Sequence, residues 1–227
     1  MRRIICKKVN NMRDLGGYCN KEGKVIKFNR FIRSNLPYEM TNQEINYLLN
    51  NKINTIIDLR RKDEAERKKN CLDREEFNYY NINVKSNKCP KLEEDIPIGY
   101  MKTISDKETI SQIFHIIANS KDGVLFNCTA GKDRTGVVAM LLLLLADVYD
   151  DDIIADYSIS YIYIRDEIKK MNKDNPDLPS FFGGSKLEYM EETLKLFRQK
   201  YKNINNYMEY LGISKEEVNL IKHKLFD

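Results

Sequence analysis

The sequence predicts an α/β protein whose C-terminal part is helical, because strand-like and helix-like patterns occur in a definite order. Short runs rich in strand-forming residues alternate with helical patterns as far as Phe126, and only helical patterns follow. Hydrophobic residues make up 42% of the chain and charged residues 32%, which is typical of a folded globular protein. The 227 residues suit a single domain that spans residues 1–227.

Three segments in the first part of the chain have the residue pattern of strands. They are residues 31–34, 53–58 and 77–84. Residues 10–18 are predicted as an ordered loop, because Gly16 and Gly17 permit backbone conformations that other residues avoid. The segment Ser86 to Gly99 contains two prolines and is also predicted as a loop.

Helices are predicted where apolar residues recur at helical spacing or where charged residues cluster. They cover residues 61–69, 107–119, 137–146 and 150–172. Three capping-box patterns predict further helix starts, at Thr41 with Glu44, Ser185 with Glu188, and Ser214 with Glu217. Asp150 is expected to cap its helix, and Gly212 to end the helix before the last one. His115 lies off the apolar stripe of its helix, so we expect it to be partly exposed.

The composition argues against several classes of function. Lys and Arg exceed Asp and Glu by four, too few to predict the concentrated basic face that nucleic acid requires. No apolar signal segment follows the basic N-terminus, and the apolar run Val137–Ala146 is about half the length of a membrane span. The five cysteines form no Cys-x-x-Cys pair and there are two histidines. We therefore expect reduced thiols in the cytoplasm, no metal site and no cofactor.

The candidate site lies where a strand, a polar loop and a helix follow one another. Residues 124–127 predict a strand that delivers Cys128 into the loop, and the loop ends at Arg134, just before the apolar helix. At such a helix N-terminus, backbone N–H groups and the helix dipole attract an anion and favour a thiolate. Arg134 can offer two parallel N–H donors to two phosphate oxygens. The pattern predicts a cysteine nucleophile that faces a bound phosphate.

Two other phosphate-binding loops do not fit the residues. A nucleotide-binding P-loop requires Gly-Lys-Ser/Thr, whereas Asp133 follows Gly131 and Lys132, and position 126 is Phe126 rather than glycine. The dinucleotide-binding pattern Gly-x-Gly-x-x-Gly is absent from this segment. Thr135, by contrast, is well placed for its hydroxyl to contact the cysteine sulfur.

The pattern Cys-x-x-x-x-x-Arg-Thr over residues 128–135 resembles the signature of the cysteine-dependent protein-tyrosine phosphatase superfamily. Cys-Thr-Ala-Gly-Lys-Asp-Arg-Thr-Gly is similar to the loop of bacterial tyrosine and dual-specificity phosphatases, some of which act on phosphoinositides. The resemblance extends to residues 11–18, 33–34 and 58–60, to Glu64 and to the C-terminal helices. It implies a mostly parallel central sheet flanked by helices, and a support role for Asp14. It also implies substrate binding by Thr129, Ala130, Gly131, Lys132, Thr135, Arg13 and Asp58.

The same resemblance implies hydrolysis of phosphate monoesters through a phosphocysteine. Cys128 would attack phosphorus, while Arg134 and the loop amides would bind the equatorial oxygens. An acid would protonate the leaving oxygen and then act as base on water. Many relatives carry this acid in a Trp-Pro-Asp motif, but this chain has no tryptophan. In the bacterial subgroup with Lys-Asp in the signature that aspartate is the proposed acid, which implies Asp133, with Asp95 and Asp58 as alternatives.

The sequence leaves the substrate open. Phosphotyrosine is the first hypothesis, with phosphoserine and phosphothreonine as further substrates. Phosphoinositides are the alternative, because Lys132 adds a second cation beside the phosphate. A catalytically silent phosphate-binding module is a third hypothesis, which the intact Cys128, Asp133 and Arg134 disfavour, and a sulfurtransferase could also use a cysteine in such a loop.

One position departs from the family pattern. Relatives usually have histidine before the cysteine, and Asn127 stands there in this chain. An asparagine side chain forms hydrogen bonds but carries no charge at neutral pH. We therefore expect thiolate formation to depend more on the helix and Arg134 than it does in relatives with histidine.

Overall fold

The computed structural model describes residues 2–85 and 90–227, and in these residues five short strands form one sheet. The strands are β1 (Arg13–Asp14), β2 (Phe31–Ser34), β3 (Ile53–Asp58), β4 (Asn78–Asn81) and β5 (Gly123–Asn127). The first helices are α1 (Asn42–Asn50), α2 (Lys62–Arg67), α3 (Asp95–Ser105), α4 (Lys107–Asn119) and α5 (Asp133–Leu145). The C-terminal part consists of α6 (Asp150–Asp174), α7 (Leu187–Tyr201), α8 (Ile204–Leu211) and α9 (Lys215–Phe226).

The sheet is mostly parallel, as predicted. Its strand order is β1-β2-β5-β3-β4, in which β2, β5, β3 and β4 run parallel and β1 pairs antiparallel with β2. Ser34 of β2 and Asp58 of β3 are both in register with Asn127 of β5. The carboxyl ends of three neighbouring strands therefore meet at one edge, directly before Cys128.

The core has two parts because successive side chains of β5 point to opposite faces of the sheet. Leu125 belongs to a smaller cluster that includes Ile45 and Leu48 of α1, whereas Phe126 belongs to a larger cluster that includes α5. Every residue of α5 from Val137 to Leu143 is buried. Burial of each large aliphatic side chain contributes about 1.5–3 kcal/mol, so α5 is firmly held in the core.

Two kinds of feature that bear on function are absent from residues 2–85 and 90–227. No helix in these ranges combines the length and the apolar character needed to cross a bilayer. Nor do three or more His, Cys, Asp or Glu side chains come together there as metal ligands. His115 is partly exposed, as expected, and its Nδ1 lies 2.6 Å from Glu217 of α9.

The predicted loop between Ser86 and Gly99 is wrong in its second half. Residues 86–89 lie outside the described residues, but α3 begins at Asp95 and includes Pro97 and Gly99. Pro97 occupies the first turn, where the helix does not use the backbone N–H that proline lacks. The strand predicted over residues 77–84 is confirmed as the shorter β4.

Two predicted helix starts also differ from the structure, whereas two capping boxes and the Gly212 helix end are confirmed. Asp150 does not cap α6 but is its first residue, and its carboxylate accepts two hydrogen bonds of 2.6 Å from Arg198 of α7. Ser185 forms no capping box with Glu188. Its hydroxyl instead accepts from the Tyr161 N–H and donates to a carbonyl of α6, each at 2.9 Å.

Candidate active site

Cys128 lies at the carboxyl edge of the sheet, where β5 ends and the loop to α5 begins. Its side chain is buried, with 3% exposed. Because α5 begins at Asp133, the positive end of the helix dipole faces the loop. This edge of a parallel sheet is where α/β proteins bind their ligands. The predicted succession of strand, loop and helix is confirmed, and it places the thiol beside a helix N-terminus.

Two side chains hold the loop carbonyls from outside. Asn11 donates from Nδ2 to the carbonyl oxygens of Ala130 (2.9 Å) and Gly131 (3.1 Å). Arg33 donates from Nη2 to the carbonyls of Gly131 (3.0 Å) and Lys132 (3.5 Å). In a trans peptide the C=O and the following N–H point in opposite directions. The N–H groups of residues 131–133 therefore point away from Asn11 and Arg33, as an anion-binding loop requires.

Gly131 allows the loop to lie directly against β2. Its φ is +66°, in the left-handed region that favours glycine. A Cβ atom at this position would lie 2.4–2.6 Å from backbone atoms of Ser34 and Asn35. A side chain would therefore push the loop away from the sheet edge.

Asp156 of α6 is the central support, and no sequence pattern predicts this role. Its carboxylate accepts from Arg13 Nε at 3.0 Å and from Arg33 Nη1, so one buried acid pairs with two buried arginines. Arg13 also donates to the side-chain oxygen of Asn11. Burial alone would raise the pKa of Asp156, but Arg13 and Arg33 lower it below its ordinary value. Arg13, predicted to bind substrate, thus lies behind the loop and supports Asn11.

Arg134 is held in place by Glu64 of α2. Arg134 Nη1 and Nη2 donate to the two Glu64 carboxylate oxygens at 2.7 and 3.1 Å. The hydroxyl of Thr129 also lies between them, 3.3 Å from Arg134 Nη2 and 3.3 Å from Glu64 Oε1. Burial opposes charge on both partners, yet Cys128 and Glu64 raise the pKa of Arg134, and Arg134 lowers that of Glu64 to about 2. The guanidinium is therefore charged and fixed before any ligand binds.

Asp133 and Lys132 form a pair at the start of α5. Lys132 Nζ lies 3.0 Å from Asp133 Oδ1 and donates to the Gly184 carbonyl at 2.6 Å. The Asp133 side chain is 44% exposed, whereas that of Lys132 is 7% exposed. Tyr100 of α3 donates its hydroxyl hydrogen to the same Asp133 oxygen. The partly buried position of Asp133 would raise its pKa, but Lys132, the Tyr100 hydroxyl and Arg134 lower it below its ordinary value.

Asp58, also predicted to bind substrate, is fully buried in a network of its own. It pairs with Arg60 Nη2 at 2.6 Å and accepts from the Tyr79 hydroxyl at 2.9 Å. Asn70 connects this network to the strand end, because its Nδ2 contacts Asp58 at 3.4 Å and the Asn127 side-chain oxygen at 3.1 Å. Among the described residues, the buried Nδ2 of Asn127 has no hydrogen-bond partner.

Two further predicted residues are buried beside these networks. The Asp14 carboxylate accepts backbone N–H bonds from Gly16 (2.7 Å) and Asn29 (2.6 Å), and burial is the main reason that its pKa is raised to about 6. Asp14 thus holds the backbone that follows β1, the strand that carries Arg13. The Thr135 hydroxyl is buried without a hydrogen-bond partner in the part of the chain that the structure describes. Its contact with the Cys128 sulfur stays a prediction.

The fold and the loop define a class of protein in which a buried cysteine and a fixed arginine enclose an anion site at a helix N-terminus. Comparison with known proteins identifies the family. A profile described as the tyrosine phosphatase family matches residues 4–227, and the chain belongs to this family.

The individual relatives share less than a third of their aligned residues with this chain. A tyrosine-protein phosphatase of Nostoc commune is 29% identical over 190 residues, which cover 74% of this chain and 65% of the relative. A protein of Cupriavidus necator is 26% identical over 170 residues, covering 66% of this chain and 59% of the relative. The matches thus span less than two thirds of either relative. The crystal structure of P. aeruginosa TpbA is similar with a TM-score of 0.45 and 10% identity, over 86% of this chain and 97% of TpbA.

Proposed function

We propose that the protein is a cysteine-dependent phosphatase that hydrolyses phosphotyrosine. The observation that carries this proposal is the loop itself. Cys128 and the Glu64-bound Arg134 stand at its two ends, and Asn11 and Arg33 hold its carbonyls outward. Membership of the tyrosine phosphatase family supports the same chemistry.

In the first step the Cys128 thiolate attacks phosphorus. An S–P bond forms while the P–O bond to the leaving group breaks, and the leaving oxygen takes a proton from Asp133. In the second step water attacks phosphorus, Asp133 takes back a proton, and the S–P bond breaks to return the thiolate. Arg134 and the loop N–H groups bind the equatorial oxygens, where charge spreads in the transition state.

Asp133 is proposed as the acid because of its place next to the loop and its exposure. At 44% its side chain is accessible to a leaving group, whereas Asp58 is buried and paired with Arg60. Because the pKa of Asp133 lies below its ordinary value, its protonated form is lost as pH rises through the acidic range. We therefore expect kcat/KM to fall from acidic toward neutral pH.

Phosphotyrosine is preferred over phosphoinositides on the environment of Lys132. The phosphoinositide alternative needs this ammonium group to face additional phosphates. Lys132 is instead buried and bound to the Gly184 carbonyl and to Asp133. We therefore expect lower activity on inositol lipids than on phosphotyrosine. Phosphoserine, phosphothreonine and inositol lipids serve as the substrates for comparison.

The test is phosphate release from p-nitrophenyl phosphate, phosphotyrosine, phosphoserine and phosphothreonine peptides, and phosphoinositides. We expect the highest kcat/KM on the phosphotyrosine peptide and complete loss of turnover in Cys128→Ser. Cys19→Ser is the matched control, because Cys19 is an exposed free thiol outside the loop. Full activity of Cys128→Ser, or an inactive parent protein, would contradict the proposal.

We also propose that the protein works in the cytoplasm. The nucleophile must stay a free thiol, which reducing conditions ensure. Among the described residues the cysteines Cys6, Cys19, Cys71 and Cys128 are all free. Fractionation of cells that express the chain, with immunodetection of each fraction, tests this location.

A further inference from the structure

A hydrogen-bonded chain of two buried tyrosines ends on Asp133. Tyr100 of α3 donates its hydroxyl hydrogen to Asp133 Oδ1, and the Tyr100 and Tyr157 hydroxyl oxygens lie 2.6 Å apart. Because the single O–H of Tyr100 is used on Asp133, Tyr157 of α6 must be the donor between the two phenols. The rings meet edge to face, with centroids 5.9 Å apart and planes at 72°.

We propose that Tyr100, supported by Tyr157, is a positioning residue that orients Asp133 for its role as general acid. This inference rests on the proposed function. It adds two helices, α3 and α6, to the machinery of a loop whose own residues lie between β5 and α5.

The contacts of Asp133 assign different tasks to its two oxygens. Oδ1 accepts from the Tyr100 hydroxyl and lies 3.0 Å from Lys132 Nζ. Its two lone pairs are thus occupied, so the proton of the acid form belongs on Oδ2. Fixing Oδ1 from two sides directs Oδ2, and with it the transferable proton, toward a single position.

The buried phenols are suited to donate a hydrogen bond and not to lose their own protons. Tyr100 is 6% exposed and Tyr157 is 1% exposed. Burial first, and the nearby Asp133 carboxylate second, raise the pKa of both phenols well above its ordinary value. The charged and titratable groups that face Asp133 come from the loop, α3, α5, α6 and α7: Lys132, Tyr100, Arg134, Tyr157 and Tyr189.

The direction of the expected effect follows from the donor. The Tyr100 O–H stabilises the ionised form of Asp133 and so lowers the pKa of this acid. Removing the hydroxyl in Tyr100→Phe raises that pKa. The basic limb of the profile of kcat against pH marks loss of the proton from Asp133, so this limb moves to higher pH. A lost charge-assisted hydrogen bond of ordinary strength corresponds to a shift of about one pH unit.

Tyr100→Phe is also expected to slow proton transfer to leaving groups that depart only when protonated. The kcat for phenyl phosphate, whose leaving group needs a proton, should fall about tenfold, and the kcat for p-nitrophenyl phosphate should fall less. Asp133→Asn identifies the limb, because it should remove the basic limb altogether. A merely structural role of Tyr100 would change neither the profile nor the dependence on leaving group.

Tyr207→Phe is the matched control. Tyr207 is fully buried and donates its hydroxyl to the Ile104 carbonyl at 2.7 Å, in the same core but without contact to Asp133. Its removal should leave the pH profile unchanged. A Tyr100→Phe profile that coincides with that of the parent protein, or an equal shift in Tyr207→Phe, would overturn the inference.

A second variant covers the case in which Tyr100→Phe does not fold, as judged by circular dichroism. Tyr157→Phe leaves Tyr100 in place but removes its partner, and we expect a smaller shift in the same direction. No shift would overturn the inference. Failure of the proposed function is recognised separately, since then the parent protein is inactive or Cys128→Ser retains activity.

Discussion

Glu64 determines the geometry of Arg134 although it lies outside the loop. Arg134 uses both terminal nitrogens on the Glu64 carboxylate, at 2.7 and 3.1 Å. A guanidinium that is already charged and oriented loses little freedom when a phosphate binds. In the proposed reaction, Glu64 therefore prepares Arg134 for the phosphate group.

Glu64→Gln is expected to lower kcat/KM about tenfold or more, because glutamine has no negative charge and only one acceptor oxygen for Arg134. Steady-state kinetics on a phosphotyrosine peptide measure the effect. Glu66→Gln is the control, since Glu66 is exposed and lies on the same helix. Equal kinetics of the two variants would show that the pair with Arg134 is unimportant.

Asn127 stands directly before Cys128, at the position where the resemblance predicts histidine. Its side-chain oxygen accepts from Asn70, and its neutral amide places no charge beside the thiol. We predict that Asn127→His lowers the pH midpoint of iodoacetamide inactivation, because an imidazolium favours the thiolate. Activity loss against pH reports on Cys128 without interference from the other cysteines. A parent midpoint below that of the variant would disprove the expectation.

At the scale of elements, α6 links the C-terminal helices to the loop. Asp156 pairs with Arg13 of β1 and Arg33 of β2, and both arginines then reach the loop, directly or through Asn11. Three segments far apart in the chain thus share one buried carboxylate. Such a network is costly to break at any one member, because an unpaired charge is left in the core.

Asp156→Asn is expected to lower the free energy of unfolding by about 3–5 kcal/mol, as is usual when one partner leaves a buried ion pair. Urea denaturation measures it. Asp166→Asn on the exposed side of α6 should change it by less than about 0.5 kcal/mol.

The stabilisation from Asp156 is also expected to depend on pH. Because the pKa of Asp156 is lowered in the folded protein, its contribution to the free energy of unfolding is present at neutral pH and is lost below about pH 4. A constant difference between parent and Asp156→Asn down to pH 3 would argue against the pairing.

Local patterns predicted those elements whose stabilising contacts are local. The capping boxes at Thr41 and Ser214 hold because each pairs a hydroxyl and a carboxylate three residues apart. Ser185 fails because its hydroxyl bonds the backbone of α6, which sequence spacing does not reveal. Pro97 was misleading because proline is as compatible with a first helical turn as with a loop.

The candidate site shows the same division. Cys128 and Arg134 are six positions apart, so the pattern of one short segment is enough to predict that they act together. The partners Asp156 and Tyr100 come from helices remote in sequence, and each is an ordinary residue in its own neighbourhood. Only the packing of α3 and α6 against α5 reveals them.

At the scale of the whole molecule, ligand binding should stabilise the fold, since the site joins the sheet, α2, α5 and α6. Inorganic phosphate at about a hundred times its Kd should add about 2.7 kcal/mol, which corresponds to a rise in Tm of roughly 5–10 °C. Arg134→Gln should abolish the rise. Thermal unfolding with sodium chloride at equal ionic strength is the control, and an equal rise in the variant would place phosphate elsewhere.

The bridge made by Asp156 also has a consequence for the order in which the chain is synthesised. A nascent polypeptide that has left the ribosome as far as residue 145 already contains the thiol, Arg134, Arg13 and Arg33. It does not yet contain the carboxylate that neutralises the last two, and two cations cannot be buried together without it. We therefore expect the loop between Cys128 and Arg134 to become rigid only after α6 is made. Until then Cys128 would lack the fixed surroundings that the proposed reaction requires.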